Sequence, residues 1–281
     1  MIEIYKKSEF KKLQQELGFN FSKSLGQNFL TDRNIIEKII TGSDIGSNDV
    51  VVEIGAGAGA LTTILAERVK KVYAIEIDKK VLPLLERVTE GLDNIEIINA
   101  DFLKYDFDKL AENYKIIGNL PYYITTPIIA GILEKECLYK PKSMTFMMQK
   151  EVADRLIAEP GTKTYGAISV LVQHYCEVSH ISDVSREVFV PKPNVDSSVL
   201  LFTLRDVSEY DVDVTKYMFK IVKAGFGMRR KTLRNSLKTL GLPEQKLLDA
   251  MESIGINSLQ RAETLSSNDY YNLAKSITTN S

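Results

Sequence analysis

Short apolar runs, each ending in glycine or a polar residue, divide the chain up to Arg205 into alternating strands and helices. Residues 50–54 have the length of a buried strand, and a second apolar run follows at residues 72–75. Between them, a glycine-rich turn leads into a helix-like stretch that ends near Arg68. Strand, turn and helix in this order predict an α/β fold with a mostly parallel sheet.

The same pattern predicts the remaining elements. After a polar N-terminal arm we expect a helix at 32–40, strands at 95–98, 116–117 and 143–148, helices at 127–134 and 150–158, and a closing hairpin from 177–182 and 197–204. Beyond residue 206 only amphipathic helices are predicted, at 214–224, 231–240, 244–254 and 269–277. We therefore expect a sheet domain at residues 1–205 and a small, all-helical domain at residues 206–281.

Glycines punctuate the turn after the first of these strands, at Gly55, Gly57 and Gly59. Glycine is needed where the backbone turns tightly and a ligand must approach it without meeting a Cβ atom. The next strand ends at Glu76, whose carboxylate can accept both hydroxyls of a ribose. This combination predicts a nucleoside cofactor. It leaves a dinucleotide open, because an NAD-binding unit has the same order of elements and tolerates Ala60 at its last glycine position.

Two later strand ends add polar and aromatic side chains. Asp101 and Phe102 follow the third strand, where an acid and an aromatic ring would meet the adenine of a cofactor, and Asn119 ends the fourth strand. Ligands of an open parallel sheet bind at the carboxyl ends of its strands, so these residues should converge with Gly55 and Glu76 on one crevice. Four such strand ends favour S-adenosylmethionine over NAD.

The residues Asn119, Leu120, Pro121 and Tyr122 suit a flat ring that carries an amino group. The lone pair of an exocyclic adenine amine is delocalised into the ring and must be turned out of the ring plane before it attacks a methyl donor. The amide oxygen of Asn119 and the carbonyl of Leu120 can accept the two N6 hydrogens, while Tyr122 stacks on the base. Pro121 fixes the local backbone. A plain strand end running into a turn also accounts for this tetrapeptide taken alone.

Six stretches together carry a family resemblance: Lys23-Ser-Leu-Gly-Gln-Asn28-Phe-Leu30, Glu53-Ile-Gly-Ala-Gly-Ala-Gly-Ala-Leu-Thr62, Glu76-Ile-Asp78, Asn99-Ala-Asp101-Phe102, Asn119-Leu-Pro-Tyr122 and Phe189-Val-Pro191-Lys-Pro193-Asn-Val195-Asp-Ser197. In these stretches the chain resembles the ribosomal RNA adenine dimethyltransferase family, and within it the KsgA-type enzymes that act on small-subunit rRNA. The glycine loop is shared by many methyltransferases, whereas the tetrad together with the Phe189 stretch is specific. The resemblance covers nearly the whole chain.

The resemblance implies a Rossmann-like, class I S-adenosylmethionine-dependent methyltransferase domain at residues 1–205, followed by an RNA-binding helical domain. It implies that Asn28 and Leu30 close over the cofactor, and that Gly55 lies by its methionine part. Glu76 would hold the ribose and Asp101 would bind the adenine amine. Gly57, Ile77 and Phe102 complete the expected cofactor site, which Asn119 shares with the reaction centre. Phe189 would press on the target base from the face opposite Tyr122, as a clamp for a flipped-out nucleotide.

The implied activity is methyl transfer from S-adenosylmethionine to N6 of two adjacent adenosines in the 3'-terminal hairpin of 16S rRNA, which gives N6,N6-dimethyladenosine. The implied partner is small-subunit rRNA or the immature small subunit, with a role in subunit biogenesis. One alternative is a 23S rRNA adenine N6-methyltransferase of the antibiotic-resistance type. A mainly non-catalytic assembly factor is another. An NAD-linked oxidoreductase is disfavoured, because nothing resembles an acid or base for hydride transfer.

Charge adds a candidate surface for nucleic acid. The net charge is only −1, yet seven basic residues and no acidic residue lie between Phe219 and Pro243, namely Lys220, Lys223, Arg229, Arg230, Lys231, Arg234 and Lys238. Helical spacing would place Lys231, Arg234 and Lys238 near one face. We expect this cluster to contact phosphates, although a solvated helix face is the alternative. The lysines of the N-terminal arm would extend it: Lys6, Lys7, Lys11, Lys12 and Lys23.

Composition adds a few expectations. With 281 residues and 44% apolar content the chain can bury two cores, and no apolar run reaches the length of a membrane span. The charged first ten residues lack the core of a signal peptide, so a cytoplasmic location is expected. Two cysteines, Cys137 and Cys176, and two histidines, His174 and His180, have no metal-like spacing. We expect no metal, and a monomer for want of an association stripe.

Overall fold

The computed structural model describes residues 2–22, 25–107, 110, 113–135 and 140–279. The chain divides into two compact units: Met1–Ala153 with Val178–Leu204, and Asp154–Glu177 with Arg205–Ser281. In this division Asp154–Glu177 belongs to the same unit as Arg205–Ser281, whereas the sequence pattern placed it in the sheet domain. The reason is burial, because Tyr165 and Val170 lie in the same hydrophobic cluster as Met218.

The predicted sheet is present, and its order places the site. The strands are β1 Phe29–Leu30, β2 Val50–Ile54, β3 Lys71–Glu76, β4 Ile95–Asn99, β5 Tyr114–Asn119, β6 Ser143–Gln149, β7 Cys176–Val184, β8 Phe189–Val190 and β9 Ser197–Leu204. Seven of them form one sheet in the order β4-β3-β2-β5-β6-β9-β7, while β1 pairs with β8 separately. The pairs from β4 to β6 are parallel, and β6 pairs antiparallel with β9. The expectation of a mostly parallel sheet closed by a hairpin is confirmed.

The helices flank these strands and fill the second unit. They are α1 Lys7–Glu16, α2 Arg33–Gly42, α3 Ala60–Ala66, α4 Leu82–Thr89, α5 Thr125–Glu134, α6 Lys150–Leu156, α7 Ala167–Tyr175, α8 Val212–Gly227, α9 Leu233–Leu237, α10 Glu244–Ser253 and α11 Ser267–Thr279. Short 3-10 turns lie at Phe102–Lys104, Arg186–Val188, Lys238–Leu240 and Ala262–Thr264. None of the helices in the described ranges combines the length and hydropathy that a bilayer crossing requires.

Strand register brings the polar strand ends to one edge of the sheet. Ile54, the last residue of β2, is level with Ile75 on one side and Gly118 on the other. Glu76 is level with Asn99, whose amide Nδ2 donates to the Glu76 carbonyl at 2.8 Å. The strand ends that carry the predicted ligands are therefore neighbours, as the rule for parallel sheets requires.

The N-terminal arm is more structured than its polar composition suggested. Within α1, Phe10 and Leu13 are buried, which an i, i+3 spacing allows while the lysines between them face solvent. The Phe10 ring lies 5.2 Å from that of Phe29, and Phe19 lies 5.7 Å from Phe29, between ring centroids. The arm thus packs onto the sheet unit through an aromatic cluster. Lys23 lies outside the described residues.

One detail of the helical unit corrects the sequence interpretation. The helix expected at 231–240 begins at Leu233 and ends in the 3-10 turn Lys238–Leu240, so Lys231 precedes it and shares no helical face with Arg234. His174 is buried in the last turn of α7, and Cys176 is the first residue of β7. Burial lowers the pKa of His174 to about 4 and raises the pKa of the Cys176 thiol to about 12. Cys137 lies outside the described residues.

Candidate active site

A pocket opens at the carboxyl ends of β2, β3 and β5, beside the turn that follows β4. It contains the predicted residues Asn28, Leu30, Gly55, Gly57, Glu76, Ile77, Asp101, Phe102, Asn119, Leu120, Pro121 and Tyr122. These residues come from stretches of sequence far apart in the chain. Their convergence on one pocket is what the strand-end argument predicted.

The glycine turn is shaped by close packing as well as by its own conformation. Gly57 has φ +55°, in the left-handed region that favours glycine. A Cβ atom there would lie 3.1 Å from Cε1 of Phe29. Because Phe29 belongs to the arm, a side chain at position 57 would displace the arm from the loop. Glycine at position 57 therefore allows the arm to pack against the loop, and it also allows a ligand to approach the backbone.

Glu76 ties the glycine loop to the turn after β3. One carboxylate oxygen accepts from the Gly57 N–H and the other from the Asp78 N–H, each at 2.8 Å. The side chain is only 6% exposed, and this burial raises its pKa while the two backbone hydrogen bonds oppose the rise. Each carboxylate oxygen can accept more than one hydrogen bond, so capacity for ribose hydroxyls remains.

The turn after β4 supplies a second acid and two apolar side chains. Asp101 caps a 3-10 turn by accepting from the Leu103 N–H at 3.1 Å. Phe102 is buried edge-to-face against Phe107, with ring centroids 4.9 Å apart. Leu103 and Ile77 are 44% and 50% exposed, and both line the pocket. The faces of a flat aromatic ring such as adenine would suit these two apolar side chains, and the Asp101 carboxylate could accept from an amine at the edge of the ring.

Asn119 is held in an orientation that its chemistry can use. Its Nδ2 donates to the backbone carbonyl of Asn28 at 2.9 Å. A carbonyl only accepts, so this contact directs the amide nitrogen towards the arm and leaves Oδ1 on the other side. Among the described residues no donor is found for Oδ1 or for the Leu120 carbonyl, whereas the Leu120 N–H is bound to Met147 at 3.0 Å. Two acceptor oxygens are thus available at one end of the pocket.

Tyr122 is held by a residue of the stretch that runs from Phe189 to Ser197. Its hydroxyl lies 2.9 Å from the Oγ of Ser197, which is buried at the start of β9. Burial raises the pKa of Tyr122, with the Ser197 hydrogen bond acting against the rise. The ring is half-buried in the pocket wall. Ser197 therefore positions the aromatic wall, a role that the sequence pattern did not reveal.

Phe189 departs from its expected place. Its side chain is 2% exposed and does not line the pocket, so it forms no clamp opposite Tyr122 in this structure. The cause is the arm, since β1 pairs antiparallel with β8 and sets Leu30 level with Phe189. The ring packs into the same buried cluster as Phe10 and Phe29. The sequence could not indicate this pairing, which joins residues far apart in the chain.

Three further residues line the pocket although they were not among the expected site residues. Gln27 donates from Nε2 to Asp78 at 2.7 Å and so fastens the arm next to Glu76. Glu53 is fully buried below the loop, which raises its pKa to about 8, and the nearby Glu76 charge adds to this. Tyr123 lines the pocket mouth and is exposed. Burial and exposure of single residues are tertiary properties, and this explains why periodicity did not find them.

The basic cluster divides into cations that form ion pairs within the protein, called tied cations, and cations without an acidic partner, called free cations. Arg229 donates to the carbonyls of Lys163 and Tyr165, both at 3.0 Å, and pairs with Glu263. Arg234 and Lys238 share one carboxylate, that of Glu244, at 2.6 and 3.3 Å. Four exposed cations have no acidic partner among the described residues: Lys220, Lys223, Arg230 and Lys231.

In the part of the chain that the structure describes, no group of three or more His, Cys, Asp or Glu side chains could hold a metal ion.

Comparison with known proteins identifies the family. The profile of the ribosomal RNA adenine dimethylase family matches residues 18–279. The chain belongs to the ribosomal RNA adenine dimethylase family. A ribosomal RNA small subunit methyltransferase A from Clostridium botulinum (strain Kyoto / Type A2) is 44% identical over 270 residues, covering 95% of this chain and 98% of the relative. One from Clostridioides difficile (strain 630) is 44% identical over 276 residues, covering 96% and 95%.

Solved structures agree with this membership in the ribosomal RNA adenine dimethylase family. A dimethyladenosine transferase from Plasmodium falciparum has a TM-score of 0.75 and 28% identity, covering 87% of this chain and 95% of that one. The 23S rRNA methyltransferase ErmE has a TM-score of 0.70 and 26% identity, covering 89% and 100%. The Rossmann-like fold expected from the sequence is confirmed.

Proposed function

We propose that this protein transfers methyl groups from S-adenosylmethionine to N6 of two adjacent adenosines in the 3'-terminal hairpin of small-subunit rRNA. The product would be N6,N6-dimethyladenosine. The observation that carries the proposal is the fixed amide of Asn119, which lines a pocket together with Leu120, Glu76 and Asp101. Family membership and relatives named as small-subunit rRNA methyltransferases support the choice of substrate.

The residues present fit S-adenosylmethionine. Glu76 would hold the ribose, Asp101 the adenine amine, and Ile77 with Leu103 the faces of the adenine ring. The glycine turn offers close approach to backbone without a Cβ atom. When bound, the cofactor supplies a methyl group on a positively charged sulfur, which departs as a neutral thioether. No metal and no strong nucleophile are therefore required.

The side chains around Asn119 act by positioning. Asn119 Oδ1 and the Leu120 carbonyl accept the amine hydrogens and turn the lone pair out of the ring plane. Tyr122, held by Ser197, supports the face of the base. Holding two reacting groups in line supplies most of the acceleration in such a reaction. The amine becomes acidic only as the new bond forms, so its proton passes to solvent and Asn119 does not act as a base.

A second round of transfer is compatible with the same two acceptors. The singly methylated amine keeps one hydrogen, and either oxygen can accept it.

We further propose that the protein acts as a monomer in the cytoplasm, where it meets immature small subunits.

The proposed function is tested with labelled S-adenosylmethionine and ribosomal subunits that lack the modification. We expect label in small-subunit rRNA, recovered as N6,N6-dimethyladenosine after nuclease digestion and mass spectrometry. Label in large-subunit rRNA would instead identify an activity like that named for the ErmE structure. Subunit binding without label would identify an assembly factor. Either of these two results contradicts the proposal.

The free cations of the helical unit are proposed to contact rRNA phosphates. Replacing Lys220, Lys223, Arg230 and Lys231 by glutamine should weaken subunit binding. Log affinity falls with log salt, and this negative slope should become shallower by about 3. Each phosphate contact contributes about 0.7–0.9 to its magnitude. A matched control replaces the tied cations Arg229, Arg234 and Lys238, and should change that slope less. Equal slopes for both variants would place the RNA contacts elsewhere.

A further inference from the structure

We propose that Tyr123 is a second base-stacking residue, which binds the nucleotide next to the target adenosine at the mouth of the pocket. The inference rests on the proposed function and names how that site holds its RNA. It concerns a residue outside the tetrad of Asn119 to Tyr122. An exposed aromatic side chain needs no explanation when it stands alone on a surface, so the case depends on where this one stands.

The Tyr123 ring is presented to solvent at a binding site. It is 55% exposed and lines the pocket together with Tyr122. Among the described residues it stacks on no other aromatic ring, and its hydroxyl has no hydrogen-bond partner, whereas the Tyr122 hydroxyl is bound to Ser197. Two adjacent tyrosines thus differ in state, with one ring fixed in the wall and the other left open at the rim.

The backbone turn that carries these two rings is anchored. The Pro121 carbonyl accepts from the Ile124 N–H at 3.1 Å and from the Thr125 hydroxyl at 3.1 Å, which closes a turn around Tyr122 and Tyr123. Because α5 begins at Thr125, the turn is anchored on both sides, by β5 before it and by the helix after it. The Tyr123 ring is therefore carried by an anchored turn and not by the tip of a long loop.

Cofactor binding does not account for the exposure of this ring. Ile77 and Leu103 are also exposed at the pocket, but they follow β3 and β4, on the side of β2 where the adenine of the cofactor is expected. Tyr123 follows β5, on the other side of β2, next to the acceptors Asn119 and Leu120. It therefore belongs to the half of the pocket that receives the target base.

The chemistry of the substrate supplies the partner for this ring. A base that is extruded into the pocket draws its flanking nucleotides to the pocket mouth, where their faces have lost a stacking neighbour. An aromatic side chain restores that stacking, and it tolerates any base because every base has a π-face. When the two target adenosines are adjacent, the base on Tyr123 is the other adenosine. The Tyr123 ring then holds the RNA while the two adenosines exchange places between the pocket and the ring.

One structural role competes with this proposal. A Cβ atom on Gly26 would lie 3.4 Å from Cδ1 of Tyr123, so the ring also rests against the arm. If the ring served only to hold the arm closed, its loss would weaken cofactor binding. The test must therefore measure RNA and cofactor separately.

We would compare Tyr123→Ala and Tyr123→Phe with the unmodified protein, using steady-state kinetics on undermodified small subunits and calorimetry with S-adenosylhomocysteine. Tyr123→Ala should raise the KM for subunits about tenfold, with kcat less affected and the cofactor Kd unchanged. Tyr123→Phe, which keeps the ring, should behave as the unmodified protein. Leu103→Ala serves as a crossed control from the same rim, and should weaken cofactor binding while leaving the KM for subunits unchanged.

An unchanged KM for subunits in Tyr123→Ala would overturn the proposal. So would a rise in the cofactor Kd as large as the rise in KM, because that result assigns the ring to the arm. Failure of the protein without any substitution to label small subunits would contradict the proposed function itself. That result comes from the labelling experiment and not from the Tyr123 variants. The two failures are therefore distinguishable.

Discussion

Asn119→Ala should lose at least about a hundredfold in the rate of methyl transfer, while its affinity for the cofactor stays within about threefold. The amide oxygen is one of two acceptors that orient the target amine, and its loss leaves the lone pair delocalised into the ring. Single-turnover kinetics with saturating subunits measure the transfer step, and calorimetry with S-adenosylhomocysteine measures affinity. Equal loss of both would show that Asn119 is structural only.

The contact between Asn119 and the arm calls for a matched control. Alanine removes the oxygen and also the donor that binds the Asn28 carbonyl. Asn119→Asp keeps an acceptor of the same shape but cannot donate to that carbonyl. We expect Asn119→Asp to transfer methyl groups faster than Asn119→Ala. If the two variants are equally slow and both bind the cofactor weakly, the arm contact is the important one.

Glu76→Ala should raise the Kd for S-adenosylhomocysteine by at least about tenfold. Hydrogen bonds to a charged group contribute about 1.5–3 kcal/mol each, and this carboxylate is proposed to accept two from the ribose. Calorimetry measures the change directly. An unchanged Kd would refute the role of Glu76 at the ribose.

The same carboxylate also holds the Gly57 and Asp78 N–H groups, so its loss could act through the loop. A cofactor product analogue that lacks the ribose hydroxyls separates these effects. The unmodified protein should bind this analogue more weakly than S-adenosylhomocysteine, whereas Glu76→Ala should bind both alike. A difference of the same size in both proteins would assign Glu76 to the loop alone.

The sequence predicted the sheet and most of the pocket because both follow from local rules. Apolar runs of strand length define β2 and β3, and the carboxyl ends of parallel strands meet at one edge, so Glu76 and Asn119 could be placed together in advance. Helix ends were less predictable. The sequence pattern predicts a helix from Lys231, although the chain becomes helical only at Leu233.

What escaped prediction depends on contacts between distant residues. The burial of Phe189 requires β1 to pair with β8, and no pattern within either two-residue strand indicates this partner. Likewise, Arg234 and Lys238 both pair with Glu244, which follows directly after the basic stretch between Phe219 and Pro243. These two cations are therefore not free, contrary to what the basic stretch alone suggested. Charge along a sequence shows which residues are basic, and only the fold shows which of them are neutralised.

The most direct test of this account is a structure of the protein with a bisubstrate analogue, in which adenosine N6 is joined to the cofactor. We predict that N6 lies within hydrogen-bonding distance of Asn119 Oδ1 and the Leu120 carbonyl, with the adenine ring against Tyr122. The account is contradicted if the adenosine binds elsewhere, or if these two oxygens are paired within the protein and face away from N6.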